Sequence, residues 1–145
     1  LRRNAYAMLY RFHVNVFARA EGLTSAIPIE LRSVKLKQLR TLDDRPPTFQ
    51  AFLPVTFDQA FAALSKLPRL DAEPDGFFVI AGDVDGHLYD FNDRLHRVEL
   101  HGECPSEIFD AILACLGWPD TPLAFELVME GVALDEARFR TWAAA

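Results

Sequence analysis

Along residues 10–18 the chain alternates. Tyr10, Phe12, Val14, Val16 and Ala18 fall on one side, and Arg11, His13 and Asn15 fall on the other. A period of two marks a strand with one face in a core and one toward water. Residues 27–40 carry two overlapping patterns. Val34, Lys35, Leu36 and Lys37 alternate as a strand does, whereas Leu31, Val34, Leu39 and Leu42 fit a helix face. The strand pattern is preferred. Pro46 and Pro47 remove amide donors and hold the residue before them extended, so 43–48 reads as a turn or linker. A short strand over 49–55 is expected after it.

Three helices follow from the 3.6-residue period and its boundary signals. The first covers about 57–67. Thr56 and Gln59 make a capping box at its start, Phe57, Phe61 and Leu64 share a face, and Pro68 stops it. The second covers about 106–116, opened by Pro105 and Ser106. Its stripe is Ile108, Phe109, Ile112, Cys115 and Leu116, and Gly117 suits a left-handed cap. The third, about 135–143, carries Phe139 and Trp142 three residues apart. Residues 69–76 read as a loop. Residues 121–131 fit either a strand or a helix capped by Thr121 with Pro122 at its first position.

Residues 77–101 read as a three-stranded antiparallel meander. Asp85-Gly86 is a type I′ turn dipeptide, because both central residues of that turn need positive φ, and Asn92-Asp93 tolerates the same conformation. Two-residue turns at both places pair Ile80 with Phe91, Gly82 with Tyr89, Tyr89 with His96, and His87 with Val98. One face then carries Phe78, Ile80, Val84, His87, Tyr89, Phe91, His96, Val98 and Leu100. The other carries Val79, Asp83, Leu88, Asp90, Leu95, Arg97, Glu99 and His101. Strand runs segregated from helices predict an α+β fold. It is a single domain over 1–145, an antiparallel sheet containing the 77–101 meander with the helices mainly on one face. No linker divides it.

Composition supports a packed core more than it specifies a function. Half of the 145 residues are hydrophobic and twelve are Phe. No apolar run approaches the length that crosses a bilayer. No secretory signal is visible, and because the chain opens at Leu1, a preceding segment is left open. Two cysteines make no disulfide framework, so a cytoplasmic protein is expected. Twelve Arg against three Lys, with abundant Ala, Leu and Pro, suggests a GC-rich bacterial genome. Residues 1–50 hold nine basic and four acidic side chains, whereas residues 51–145 hold six and seventeen. Such asymmetry suits steering of a charged partner or self-association, or simply a domain with mixed surfaces.

Candidate chemistry is sparse. Asp83-Val84-Asp85-Gly86 resembles the opening of an EF-hand loop, yet counting from Asp83 the sixth residue is Leu88 and the twelfth Arg94, where glycine and glutamate are required. His87 and His96, near Tyr89, are candidates for a ligand pocket beside the sheet. His101 and Cys104 are a second candidate, since a helix N-terminus and an imidazolium both stabilise a thiolate. Cys115 lies about 16 Å further along that helix and cannot share a metal with Cys104. No phosphate loop, dinucleotide fingerprint, serine-nucleophile elbow or zinc motif occurs, so no catalytic residue, metal or cofactor is assigned. Arg32, Lys35, Lys37 and Arg40 could contact phosphates but lack interleaved aromatics, which makes phosphate or nucleic-acid binding through the basic N-terminal part a third reading. The expectation is a non-catalytic protein-interaction or self-association module, with a homodimer through an edge such as 10–18 as one form. The alternative is a small-molecule-binding protein or small enzyme at His87, Tyr89 and His96 or at His101 and Cys104.

Overall fold

The computed structural model describes residues 8–80 and 82–145. The strands are β1 Leu9–Ala18, β2 Thr24–Leu31, β3 Val34–Arg40, β4 Leu70–Ala72, β5 Phe77–Ile80, β6 Val84–Phe91, β7 Arg94–Pro105, β8 Leu123–Leu127 and β9 Val132–Asp135. The helices are α1 Phe57–Leu64, α2 Ser106–Ala114 and α3 Glu136–Ala144. Seven strands form one sheet in the order β4-β5-β6-β7-β1-β8-β9, with every neighbouring pair antiparallel. β2 and β3 form a separate hairpin. The α+β expectation holds.

The alternation in β1 explains its place. Tyr10, Phe12, Val14, Val16 and Ala18 are buried and join the helices in the main core. Phe109 of α2 meets Tyr10 and Phe12 edge-on, with ring centroids 5.6 and 4.9 Å away. Phe139 of α3 stacks on Phe125 at 4.4 Å. β1 pairs with β7 over Leu9–Phe17 and with β8 over Val14–Ala18, so it is an interior strand and not the sheet edge expected. The edges are the three-residue β4 and the four-residue β9.

Local signals hold at several helix ends. In the α1 capping box the Gln59 amide donates to Thr56 Oγ1 at 3.1 Å and the Thr56 amide donates to Gln59 Oε1 at 2.9 Å. α1 itself ends at Leu64, and the chain continues to Leu67 in tighter turns. α2 lacks a side-chain cap at Pro105, whereas Asp135 caps α3 by accepting from the Arg138 amide at 2.8 Å.

Two expectations change and two ambiguous patterns resolve as strands. Residues 27–40 are the end of one strand and the whole of the next. The turn between them, Arg32-Ser33, has φ of 53° and 61° without glycine. Arg32 lies over the Trp142 ring at 3.8 Å and donates to the carbonyls of Arg11 and Trp142, contacts that offset an unfavourable backbone. Residues 49–55 are not a strand of the sheet. The loop after α1 contains β4. Residues 121–131 resolve as β8 and the turn that follows it.

The largest correction concerns the meander. Asn92-Asp93 is the expected turn, with φ of 51° and 67°, and it pairs Phe91 with Arg94. Asp85-Gly86 is not a turn. The chain reverses between Ile80 and Val84, with Gly82 at φ 79°, and Gly86 sits inside β6 opposite Phe78. The Phe78 ring covers Gly86 so closely that a Cβ there would lie 2.2 Å from it. Glycine is required at that strand position by space and not by turn geometry. Consequently Val84, Gly86 and Leu88 face the helices, while His87, Tyr89 and Phe91 face away. Leu88 and Leu95 are core residues, opposite to the expected assignment.

The hairpin of β2 and β3 wraps the β9 edge. Leu36 enters the main core, whereas Leu39 packs on Ala124 and Ala133 with Leu23 and Phe49. Ala124 alternates with the inward Leu123 and Phe125, so this second cluster lies on the far face of β8 and β9. Among the described residues, the far face of β5, β6, β7 and β1 has no such cover beyond Phe49 and Phe52, which lie over Phe17 and His96. No helix among the described residues is long and apolar enough to cross a membrane.

Gly86→Ala is expected to destabilise the protein by about 1–3 kcal/mol, the usual range for overpacking a filled site. A lower urea midpoint at unchanged slope would show it. An unchanged midpoint would mean that Phe78 does not close over Gly86.

Candidate functional site

The uncovered face owes its geometry to one extra residue. Tyr89 pairs with Arg97 and Asp90 with Leu95, which leaves His96 without a partner in β6. Such a bulge places two consecutive residues on the same side of the strand. Here His96 and Arg97 both point away from the helices, toward Phe17 and Tyr89 respectively. β1 stops pairing with β7 at Phe17 opposite Arg97, and the 53–55 segment takes its place. Leu53 donates its amide to the Leu95 carbonyl at 2.9 Å, and Leu95 donates to the Val55 carbonyl at 3.3 Å.

This segment carries aromatic side chains over the sheet. Phe49 stacks on Phe17 at 4.1 Å and 12°, and its carbonyl lies 2.7 Å from His96 Nε2. Phe52 meets the His96 ring edge-on at 5.6 Å. Between the 49–52 segment and the β6–β7 turn runs a groove of about 400 Å³, lined by Phe49, Gln50, Phe52, Tyr89, Asp90, Phe91, His96 and Arg97. Two guanidiniums lie over its rings, Arg97 over Tyr89 at 4.0 Å and Arg94 over Phe52 at 4.2 Å.

Next to the groove is a polar cluster on β1, β6 and β7. His13 and His101 are directly opposite across β1 and β7, and their rings stack at 4.4 Å. His13 Nε2 is 2.8 Å from Glu99 Oε2, and Tyr89 donates its hydroxyl to Glu99 Oε1 at 3.2 Å. His87 stacks on Tyr89 at 4.7 Å. These rings border a hollow of about 220 Å³ that also touches Phe77 and Asp85. Hydrogen bonding from His13, reinforced by Tyr89 and outweighing partial burial, holds the Glu99 carboxyl below its ordinary value. Desolvation, helped by the Glu99 charge, raises the Tyr89 phenol. Among the described residues no group of three or more His, Cys, Asp or Glu side chains is placed to hold a metal ion.

The structure thus brings His87, Tyr89, His96 and His101 onto one face, where His96 serves the groove, His87 and His101 the polar cluster, and Tyr89 both. Cys104 is separated from all of them. It is 5% exposed, points into the helix-side core beside Tyr10, and burial pushes its thiol up to about 12. The suggested pairing of His101 with Cys104 is split by the sheet, because the two side chains leave β7 on opposite faces. Of the basic strand residues, Arg32 is bound to Trp142, and Arg40 contacts Asp44 at 3.3 Å. Lys35 and Lys37 are exposed.

Several residues of this face were not singled out by sequence. His13 reaches Glu99 across 86 residues of chain, and Phe49 and Phe52 arrive on an irregular segment with no periodic signal. The alternation of β1 did place His13 on the outward side. No family model, curated protein or solved structure matches the chain.

One titration and one labelling experiment check these placements. The folded-state Glu99 carboxyl sits below its unfolded value, so the unfolded chain binds the extra proton and stability rises with pH in that window. The Glu99 contribution is present at neutral pH and is lost as pH falls through the lowered midpoint. Carbon-detected NMR should place that midpoint below the ordinary glutamate value of about 4.3, and His13→Ala should raise it. A wild-type midpoint at or above the ordinary value would contradict the hydrogen-bonded pair. Iodoacetamide at pH 8 should label Cys104 only after unfolding, and rapid labelling of the native protein would place the thiol at the surface.

Proposed function

We propose that this chain is a non-catalytic interaction module and that its working surface is the uncovered sheet face, with a protein as partner. The supporting observation is the make-up of that face. A sheet face turned to water usually carries small or charged residues, but here Phe77, His87, Tyr89, Phe91, His13, His101 and Arg97 lie together, with Phe91 67% exposed. Aromatic side chains and arginine are the types enriched at protein interfaces, because they contribute large contact area and still offer hydrogen bonds. The absence of a sequence motif for catalysis is consistent with this reading, and burial of Cys104 removes one candidate nucleophile.

A second reading, a small-molecule site, is favoured by the groove volume of about 400 Å³, which falls in the range typical of ligand pockets. Against it stands the exposure of Phe91, which leaves one wall of the groove open to water. We place the protein in a reducing compartment, the cytoplasm, on its two free cysteines, and in a bacterium on its arginine-rich composition.

Photo-cross-linking in the cells that express the protein tests the interaction reading. Benzoylphenylalanine replaces His87 on the uncovered face or the exposed Asp58 on α1 in a control. Adducts to a partner, or to a second copy, are expected from position 87 and not from 58. Adducts from 58 alone, or from neither, would contradict the assignment.

A further inference from the structure

We infer that the groove between residues 49–52 and the β6–β7 turn receives an aromatic side chain flanked by carboxylates on a partner protein. The inference rests on the interaction reading above and adds to it the chemistry of the segment that is bound.

The walls argue for a ring. Phe49, Phe52, Tyr89 and Phe91 line the groove, and offset or edge-on ring contacts are available from both sides. Its volume of about 400 Å³ exceeds that of one aromatic side chain, leaving room for the neighbouring residues of an extended segment. His96 does not compete for the incoming group, because its Nε2 is already engaged with the Phe49 carbonyl.

The charges argue for acidic flanks. Arg97 lines the groove over Tyr89, and Arg94 lies over Phe52 from the adjoining hollow bordered by residues 53–56; among the described residues neither forms an ion pair. Among the other described arginines, Arg40, Arg45, Arg138 and Arg140 reach a carboxylate and Arg11, Arg19 and Arg32 reach carbonyls, whereas Arg69, away from the groove, shares the lack of a partner. A guanidinium held on an aromatic face keeps its in-plane donors free for a carboxylate. The one carboxylate lining the groove, Asp90, is exposed and contacts neither arginine within ion-pair distance. Single-stranded nucleic acid also stacks bases on sheet aromatics, but its backbone needs a continuous cationic track. Asp85, Asp90 and Glu99 interrupt any such track on this face.

The test uses the full chain, isotope-labelled, and three probes followed by amide chemical shifts: acetyl-Glu-Trp-Glu-amide, acetyl-Lys-Trp-Lys-amide and octauridylate. The acidic peptide is expected to shift the amides of 49–52 and 89–97. At low salt it should bind about fivefold more tightly than the basic peptide, as expected for two exposed charge contacts. Arg97→Gln, which also removes the contact with the Tyr89 ring, should shrink that ratio while lowering the melting temperature by no more than about 4 °C. Equal binding of the two peptides, no shift in the groove, or tighter binding of octauridylate would each overturn the inference. If position 87 still cross-links to a protein partner in that case, the interaction reading stands and only the chemistry assigned to the groove fails.

Discussion

The extra residue at position 96 is the constraint on which the uncovered face depends. Without it, the Asn92-Asp93 turn would pair Tyr89 with His96 and Leu88 with Arg97, turning Leu88 outward and His87 inward. A slip of one residue exchanges the two faces of a strand. The bulge is held in place by backbone bonds on its open side. Leu95 exchanges amide and carbonyl with the 53–55 segment, where β1 has already ended. The same segment delivers Phe49 and Phe52 above the sheet and gives His96 a carbonyl partner. One irregularity therefore sets the register of β6, builds the groove and anchors the loop that walls it.

Gly86 is the counterpart of this device inside the core. With the register fixed by the bulge, position 86 falls under the Phe78 ring, where no side chain fits. β6 can lie between β5 and β7 only because both conditions are met. The helices and the β2–β3 hairpin then divide the remaining work. The helices cover one face of the sheet and the hairpin covers the far side of β8 and β9. What remains open among the described residues is a strip of β5, β6, β7 and β1 carrying the histidines, Tyr89, Glu99 and the groove.

Much of the framework was legible in the sequence, because its signals are local. The alternation of β1, the Thr56–Gln59 capping box, the stripe of α2 and the Asn92-Asp93 turn each involve residues a few positions apart. The failures share a different cause. Asp85-Gly86 has the composition of a hairpin turn, but the ring that makes glycine necessary lies on the neighbouring strand. The Arg32-Ser33 turn has no glycine, and its support comes from Trp142, 110 residues away. The bulge at His96 is dictated by the 53–55 segment, again distant in sequence. The candidate histidines and Tyr89 were found by residue type and reach one face through a register that was not expected. Cys104 was separated from them by strand parity once that register was known.

The most direct test of this account is a nuclear Overhauser spectrum that locates the Tyr89 ring and the Leu88 methyls. The account predicts contacts from the Tyr89 ring to the His87 ring and the Arg97 side chain, and from the Leu88 methyls to Val98. Contacts from the Tyr89 ring to the Val98 methyls, with Leu88 free of core contacts, would show that the bulge is absent. The uncovered face would then be a different surface.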